Sequence, residues 1–336
     1  DFPRLGQTWS KPTLATIAIS KDSGTELRES LIFGGGYDAS LDNPATYSTS
    51  DHSGVPFMGN AIYIVDPETG NKLLSISGSP YGADITVPGM NYSIPSIVRA
   101  MDSDGDGITD RLYVGDTGGQ IWRVDLAAID QRSASSSVAG KTVVGKLANI
   151  SQAGVPAEER RFFEPPSVVQ VRDNKFSNEE NYDYILMGTG YRAHPLNTEV
   201  RDRFYAIRDF QISANGMEVL DLNDNNISDA TEGYPQTSGD AFRNSDLINV
   251  TTTILNSTDA IHRASAGWFY DFAQAGAIGE KVLSPAITLG GAVTFTTFAP
   301  EASSSTPDPC TTSIGLGKAY NFDILSAGAG LDWDAD

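Results

Sequence analysis

The sequence predicts an all-β protein, specifically a modified β-propeller of about seven four-stranded blades with long loop insertions. Short runs of β-branched and aromatic residues recur throughout the 336-residue chain and are typical of strands. The 33 glycines and 17 prolines supply turns between these runs. Helical periodicity is nearly absent, and residues 151–161 are the best candidate for a short helix. We expect one propeller domain over residues 1–336.

A repeated unit supports this architecture. An apolar strand ends in glycine, and after a turn a second strand containing an aromatic residue ends in aspartate. The unit occurs at 31–36 with 60–70, 112–125, 184–190 with 203–209, and 293–298 with 317–323. A large β-sandwich could use the same strands. Long insertions within a unit favour the propeller, because such loops leave the blades at one rim.

Composition excludes several classes of function. A formal charge of -20 argues against nucleic acid and anionic membranes as partners, because binding phosphate requires clustered Lys and Arg. Cys310 is the single cysteine, which excludes an internal disulfide framework and a multi-thiolate metal site. The three histidines are scattered along the sequence, so a zinc site is not expected.

The start of the sequence and the length of its apolar runs bear on membrane spanning and on whether the chain is part of a longer protein. No apolar run approaches the roughly 18 residues that a transmembrane helix requires. The chain starts at Asp1 without an initiator Met or a signal peptide, so we expect a fragment of a longer exported protein.

The most informative stretch is residues 102–110, with the sequence DSDGDGITD. Carboxylates at alternate positions repel one another unless the loop folds around a cation, and Ca²⁺ prefers six to eight such oxygen ligands. The spacing matches the first nine positions of an EF-hand loop, with Gly107 at the turn. The predicted calcium ligands are Asp102, Asp104, Asp106, the Ile108 carbonyl and Asp110.

The match to an EF-hand is partial. Position twelve is Tyr113 instead of a bidentate Glu, and strand-like sequences flank the loop where an EF-hand has helices. We therefore predict a calcium loop between strands of an antiparallel sheet. The alternative is a plain Asp/Gly-rich hairpin turn.

A second loop repeats the alternate spacing with fewer charges. Its in-register residues are Asp221, Asn223, Asn225, Ile227 and Asp229. Two carboxylates and two amides bind calcium more weakly than four carboxylates, and Asn and Asp are also ordinary turn residues. We expect this loop to bind calcium weakly or not at all.

Two other features have structural interpretations. Trp122, in the strand after the calcium loop, is expected to pack within a blade. The charged run 158–161 is interpreted as the solvated face of a short helix.

With these motifs in order, the chain resembles the C-terminal domain of type IV pilus tip-associated adhesins, the PilY/PilC-type pilus biogenesis factors. The matching stretches are 34–38, 62–70, 102–125, 188–195, 203–209 and 279–285. The resemblance covers nearly the whole chain. It implies a quinoprotein-dehydrogenase-like propeller whose calcium loop regulates pilus extension and retraction, twitching motility and surface adhesion.

The same resemblance implies partners and a location. Expected partners are pilins, minor pilins and other pilus assembly components, and host-cell surfaces through the full-length protein. The implied location is the bacterial surface, at the outer membrane or the pilus tip. The larger N-terminal adhesive region of the family is not part of this sequence.

Three functions remain open. The sequence favours a calcium-binding, non-enzymatic module. The alternative is a quinone-dependent dehydrogenase, which shares the architecture but needs calcium in a central pocket against the cofactor, usually with adjacent cysteines. A propeller lectin would need near-identical blades with repeated aromatic pockets, whereas these repeats are divergent.

Overall fold

The computed structural model describes residues 2–42, 57–78, 82–135, 137–172, 181–210, 241–255, 265–300 and 315–330. Within these ranges the chain forms nineteen strands in four sheets, with three short 3₁₀ turns. The predicted all-β class is confirmed. The predicted seven blades are not confirmed, because the described ranges contain four sheets.

The described residues divide into two compact units, which consist of 2–154 with 241–243 and of 155–210 with 244–330. The strands of the first unit are β1 (Thr13–Lys21), β2 (Gly24–Gly34), β3 (Ala61–Val65), β4 (Lys72–Ser77), β5 (Ile85–Thr86), β6 (Arg99–Met101), β7 (Arg111–Gly115), β8 (Gln120–Asp125), β9 (Ile129–Asp130) and β10 (Val143–Asn149). They form a six-stranded sheet in the order β5-β4-β3-β2-β1-β9 and a four-stranded sheet in the order β10-β8-β7-β6.

The second unit also holds two sheets. Its strands are β11 (Ser167–Arg172), β12 (Asn181–Gly188), β13 (Arg203–Asp209), β14 (Ile248–Asn249), β15 (Gly267–Asp271), β16 (Lys281–Val282), β17 (Ile287–Leu289), β18 (Ala292–Ala299) and β19 (Leu316–Asp323). Five strands lie in the order β11-β12-β13-β15-β14. In the other sheet β18 pairs with β16 and β17 on one side and with β19 on the other.

The four strand pairs of the repeated unit are all present as antiparallel neighbours. They are β2 with β3, β7 with β8, β12 with β13, and β18 with β19. Each of the four sheets contains one of these pairs. The repeat lies at the centre of the first three sheets, whereas in the fourth sheet β19 is at the edge and pairs only with β18 among the described strands.

The glycines that end the first strand of a repeat are required by close backbone contacts. A Cβ atom on Gly34 would lie 2.4 Å from the carbonyl oxygen of Ile94. A Cβ atom on Gly190, two residues after β12, would lie 2.1 Å from the carbonyl oxygen of Val282. In both units another backbone segment therefore crosses the chain where only glycine leaves room.

In two of the four repeats, the aspartate that ends the second strand stabilises the following turn. Asp66 accepts a hydrogen bond from the backbone N–H of Glu68 at 2.9 Å, and Asp323 accepts one from Ser326 at 2.8 Å. A short carboxylate side chain can satisfy the free N–H groups of the turn that follows a strand. The aspartate thus has a local cause in these two repeats, whereas Asp125 pairs with Arg111 and Arg123 within its sheet.

The main core clusters of the two units differ in composition, with mostly Ile, Val and Leu in the first and many aromatic residues in the second. In the first unit the Trp122 side chain is fully buried and its Nε1 donates to the carboxylate of Asp116 at 2.9 Å. The expected packing role of Trp122 is confirmed. In the second unit Phe204 stacks on Phe295 with ring centroids 3.9 Å apart, and Trp268 lies in the same cluster.

The interpretation of residues 158–161 as a solvated helix face is wrong. The helical segment is a single 3₁₀ turn over Pro156–Glu158, and the next three residues are buried. The Arg160 Nε donates to the carbonyl of Arg201 at 2.6 Å, and the Arg161 guanidinium lies 4.0 Å from the Tyr191 ring centroid. These arginines are buried because a segment distant in sequence lies over them.

A buried lysine holds the segment around residues 195–197 in place. Lys281 is fully buried, and its ammonium donates hydrogen bonds to three backbone carbonyls. The acceptors are Pro195 at 2.9 Å, Asn197 at 2.8 Å, and Gly279. All three ammonium N–H groups are therefore used by carbonyl oxygens.

Asp202, beside this lysine, is the most exceptional carboxylate in the described part of the second unit. Its exposed fraction is 1%, and neither carboxylate oxygen has a hydrogen-bond partner among the described residues. The nearby Thr189 hydroxyl donates instead to the carbonyl of Arg203 at 3.3 Å. Burial raises the pKa of Asp202 to about 6, against the opposing charges of Lys281 and Arg160.

Asp202→Asn should stabilise the second unit at neutral pH. A carboxyl whose pKa rises on folding stabilises the folded state at pH values below its unfolded-state pKa, and this stability is lost as the pH rises through its folded-state pKa. We expect the free energy of unfolding of the variant to exceed that of the wild type by roughly 2 kcal/mol at pH 7.5, and the difference to disappear near pH 4. Urea unfolding at several pH values measures the difference, with the exposed Glu199→Gln as control. A variant that is less stable at every pH would show instead that the ionised carboxylate is needed beside Lys281.

Candidate metal centre

The predicted calcium loop is the connection between two antiparallel strands. Residues 102–110 join β6 to β7, and Met101 lies directly opposite Arg111 at the base of the loop. Both flanking elements are strands, as the sequence predicts. The loop is therefore a nine-residue hairpin connection whose tip is exposed to solvent.

Three of the predicted ligands come together. One carboxylate oxygen each from Asp102, Asp104 and Asp106 lies within 4.8 Å of the others, and all three residues are exposed. Oxygens that bind one Ca²⁺ at about 2.3–2.6 Å cannot be more than about 5.2 Å apart. The three carboxylates therefore have the spacing and the chemistry of a shared hard-cation site.

Two glycines allow the chain to curl around these carboxylates. Gly105 and Gly107 have φ values of 83° and 88°, in the left-handed region that glycine adopts readily. Their N–H groups donate to the carboxylate of Asp102 at 2.7 and 2.8 Å. The bond from Gly107 is the largest cause of the lowered pKa of Asp102, so this carboxylate is charged at neutral pH.

The other carboxylates also accept backbone hydrogen bonds. Asp104 accepts from the N–H of Asp106 at 3.1 Å, and Asp106 accepts from the N–H of Ile108 at 2.8 Å. Each carboxylate is thus oriented by a residue two positions further along. These bonds hold the loop in a compact turn.

Asp110 has a different environment. Its carboxylate accepts hydrogen bonds from the Ser103 N–H at 3.0 Å and the Ser103 hydroxyl at 2.6 Å, and it is not in the converging group. Its part in binding an ion stays a prediction, as does that of the Ile108 carbonyl. Tyr113 is fully buried in β7, consistent with its exclusion from the ligand set.

Backbone hydrogen bonds anchor the end of the loop to neighbouring elements. The Thr109 N–H donates to the carbonyl of Thr16 in β1 at 2.7 Å. The carbonyl of Asp110 accepts from Leu126, just after β8, at 2.7 Å. Sequence reasoning missed Thr16 and Ser103, because neither carries a carboxylate and Thr16 is far away in the chain.

The second candidate loop, with Asp221, Asn223, Asn225, Ile227 and Asp229, lies outside the described residues, as does Cys310. The weak calcium binding expected of that loop stays a prediction. In the described part of the chain, the one group of three or more potential ligands that converges is the one in the 102–110 loop. No helix among the described residues is long and apolar enough to cross a membrane.

Known proteins similar to this chain include type IV pilus biogenesis factors. The chain is 24% identical over 343 residues to the type IV pilus biogenesis factor PilY1 homolog of Xylella fastidiosa, covering 97% of this chain and 19% of that protein. It is 25% identical over 328 residues to the type IV pilus biogenesis factor PilY1 of Pseudomonas aeruginosa, covering 92% of this chain and 24% of that protein. The chain therefore spans about a quarter of these relatives or less. No model of a known protein family matches it.

The fold gives a concordant result. The structure matches the crystal structure of the Pseudomonas aeruginosa PilY1 C-terminal domain with a TM-score of 0.58 and 21% sequence identity. The match covers 97% of this chain and 60% of that one. In sequence the chain is therefore a distant relative of the PilY1 type IV pilus biogenesis factors, and it has the fold of the PilY1 C-terminal domain, as its motifs predict.

Proposed function

We propose that this chain is a calcium-binding, non-enzymatic module of a type IV pilus biogenesis factor at the bacterial surface. Its relatives are named as pilus biogenesis factors. The observation that carries the calcium proposal is the convergence of Asp102, Asp104 and Asp106 on one position. Partners in this proposal are pilins, minor pilins and other assembly components, with host surfaces reached through the full-length protein.

The loop has the charge and the donors that calcium requires. Three convergent carboxylates repel one another in the free loop, and a dication removes that repulsion. Asp110, the Ile108 carbonyl and water complete the six to eight oxygens that Ca²⁺ prefers. Mg²⁺ should compete poorly, because it needs a near-ideal octahedron at about 2.0–2.1 Å.

The anchors of the loop explain how an ion would act on its surroundings. Thr109 and Asp110 are hydrogen-bonded to β1 and to the segment after β8. An ordered loop then holds the surface at the end of the β6–β7 hairpin in one conformation. In our proposal this conformation sets the affinity of that surface for a pilus component, and so shifts the balance between pilus extension and pilus retraction.

The exposure of the loop supports a binding role over catalysis. A quinone-dependent dehydrogenase needs its calcium in a pocket against the cofactor. Here Asp102, Asp104 and Asp106 are exposed on a hairpin connection. The arrangement favours a regulatory ion at the surface.

Asp104→Ala should weaken calcium binding at least tenfold, which corresponds to about 1.4 kcal/mol. The substitution removes one ligand and one charge, and the flanking strands remain paired. Asp110→Ala should also weaken binding, because Asp110 is expected to close the ligand shell. Calorimetric titration of the 336-residue chain measures both, and we expect one tight site per chain.

Two control variants accompany this titration. Glu199→Ala removes an exposed carboxylate from the second unit and should leave the affinity unchanged. Ser103→Ala removes the hydroxyl that donates to Asp110. If Ser103→Ala and Asp110→Ala lose the same calcium affinity, Asp110 has a positioning role only. Unchanged affinity in Asp104→Ala would contradict the site itself.

In its native bacterium, the full-length protein carrying Asp104→Ala should alter the number of surface pili or the rate of twitching. The physical reason is that the loop would lose the ion that holds it in one conformation. Pilus counts by electron microscopy measure the effect, and an immunoblot of the exported fraction confirms that the protein is present. Normal piliation combined with lost calcium binding would remove the regulatory role and keep the site.

A further inference from the structure

The hairpin formed by β1 and β2 extends beyond β3, its neighbour on the β2 side of the sheet. Nine residue pairs join the two strands, from Thr13 opposite Ile32 to Lys21 opposite Gly24. On its other side, β2 is paired with β3 only over Leu31–Gly34. From residue 24 to residue 30, no strand of the described ranges pairs with this outer edge of β2.

The register shows which backbone groups face the open edge. On the far side of the hairpin, the carbonyl of Thr16 accepts a hydrogen bond from outside the β1–β2 pair. Thr16 lies opposite Glu29, so this pair directs its backbone groups outward. Because this direction alternates from residue to residue along a strand, the backbone groups of Leu27, two residues before Glu29, also point outward. The N–H and C=O groups of Leu27 and Glu29 therefore face the unpaired edge of β2.

A groove of about 340 Å³ runs along this edge. Its lining residues are Glu26, Leu27, Arg28, Glu29, Asp66, Pro67 and Glu68. The Arg28 guanidinium forms ion pairs with Glu26 at 2.6 Å and Asp66 at 2.9 Å, and Lys21 also pairs with Glu26. Two of the four carboxylates are thus neutralised within the groove.

The remaining two carboxylates and one leucine are available to a ligand. Glu29 and Glu68 are exposed and form no ion pair with any described residue. Leu27 is 56% exposed, and its side chain lies on the same face of β2 as that of Glu29. The edge thus combines free backbone groups, one apolar contact and a local excess of negative charge.

We propose that the open edge of β2 is a docking site for an extended, basic segment of a partner protein, which adds to the sheet as a strand. Main-chain hydrogen bonds to Leu27 and Glu29 would give affinity, and side chains on alternate positions would give specificity. The bound segment carries an apolar residue beside Leu27 and, two positions away, a Lys or Arg beside Glu29. Glu68, on the turn after β3, adds to the selection for positive charge.

The acidic side chains also explain why this edge does not pair at random. Charged residues on an exposed edge discourage pairing with other chains. This chain is itself strongly acidic, with a formal charge of -20, so its own copies are repelled. A basic strand is the chemical class that these carboxylates attract.

Binding of defined peptides to the 336-residue chain tests the proposal. The probe is a fluorescent seven-residue peptide of threonines with a valine and a lysine two positions apart, and the control peptide has glutamate in place of lysine. We expect saturable binding of the basic peptide by anisotropy and at least tenfold weaker binding of the acidic one. A Glu29→Lys, Glu68→Lys double variant should reverse this preference. Absence of binding, or equal binding of both peptides to the wild type, would overturn the proposal.

Substitutions at Leu27 separate backbone from side-chain recognition. Leu27→Pro removes an N–H from the open edge and leaves the hydrogen bonds between β1 and β2 intact. It should reduce peptide binding at least tenfold, whereas Leu27→Ala, which keeps the N–H, should reduce it less. An unchanged circular dichroism spectrum and melting temperature verify that each variant has folded. Binding retained by a folded Leu27→Pro variant would exclude strand addition.

Discussion

The alternating direction of backbone hydrogen bonds along the β1–β2 hairpin is the constraint on which both candidate interaction sites depend. Paired residues of an antiparallel ladder bond either to each other or outward to neighbours. On the outer edge of β1 the outward carbonyls of Thr16 and Ser20 accept hydrogen bonds from the N–H groups of Thr109 and Gln131, and the first of these bonds positions the 102–110 loop. On the outer edge of β2 the same alternation leaves backbone groups without a strand partner in the described ranges.

The parts of this structure that follow from local sequence could be predicted. All four repeated strand pairs form as expected, because local runs of β-branched and aromatic residues bounded by Gly and Asp identify the strands. Of the four pairs, only β7 and β8 are joined by a short turn, and the other three are joined by longer connections. The convergence of Asp102, Asp104 and Asp106 was also predictable from local sequence. Their spacing and the two glycines are sufficient to define the turn.

The parts that depend on distant contacts could not be predicted. Arg160 and Arg161 look solvated in sequence, and burial beneath the segment around Tyr191 and Arg201 reverses that expectation. The anchor from Thr109 to Thr16 joins residues 93 positions apart, and no local pattern marks either of them. The partial coverage of β2 by β3 likewise follows from where β3 ends, at Val65. Each of these features is set by which segments meet.

Charge connects the calcium loop with the open strand edge. A chain with a formal charge of -20 must either separate its carboxylates, pair them internally or recruit cations. Internal pairing is used where cations are close, as Arg28 is to Glu26 and Asp66. The exposed carboxylates of Asp104 and Asp106, and those of Glu29 and Glu68, form no ion pair with a described residue. At the loop they converge within the span of one small dication, whereas along β2 they border an extended groove. In our proposals, this difference in geometry favours a metal ion for the first group and a basic polypeptide for the second, although both groups consist of carboxylates.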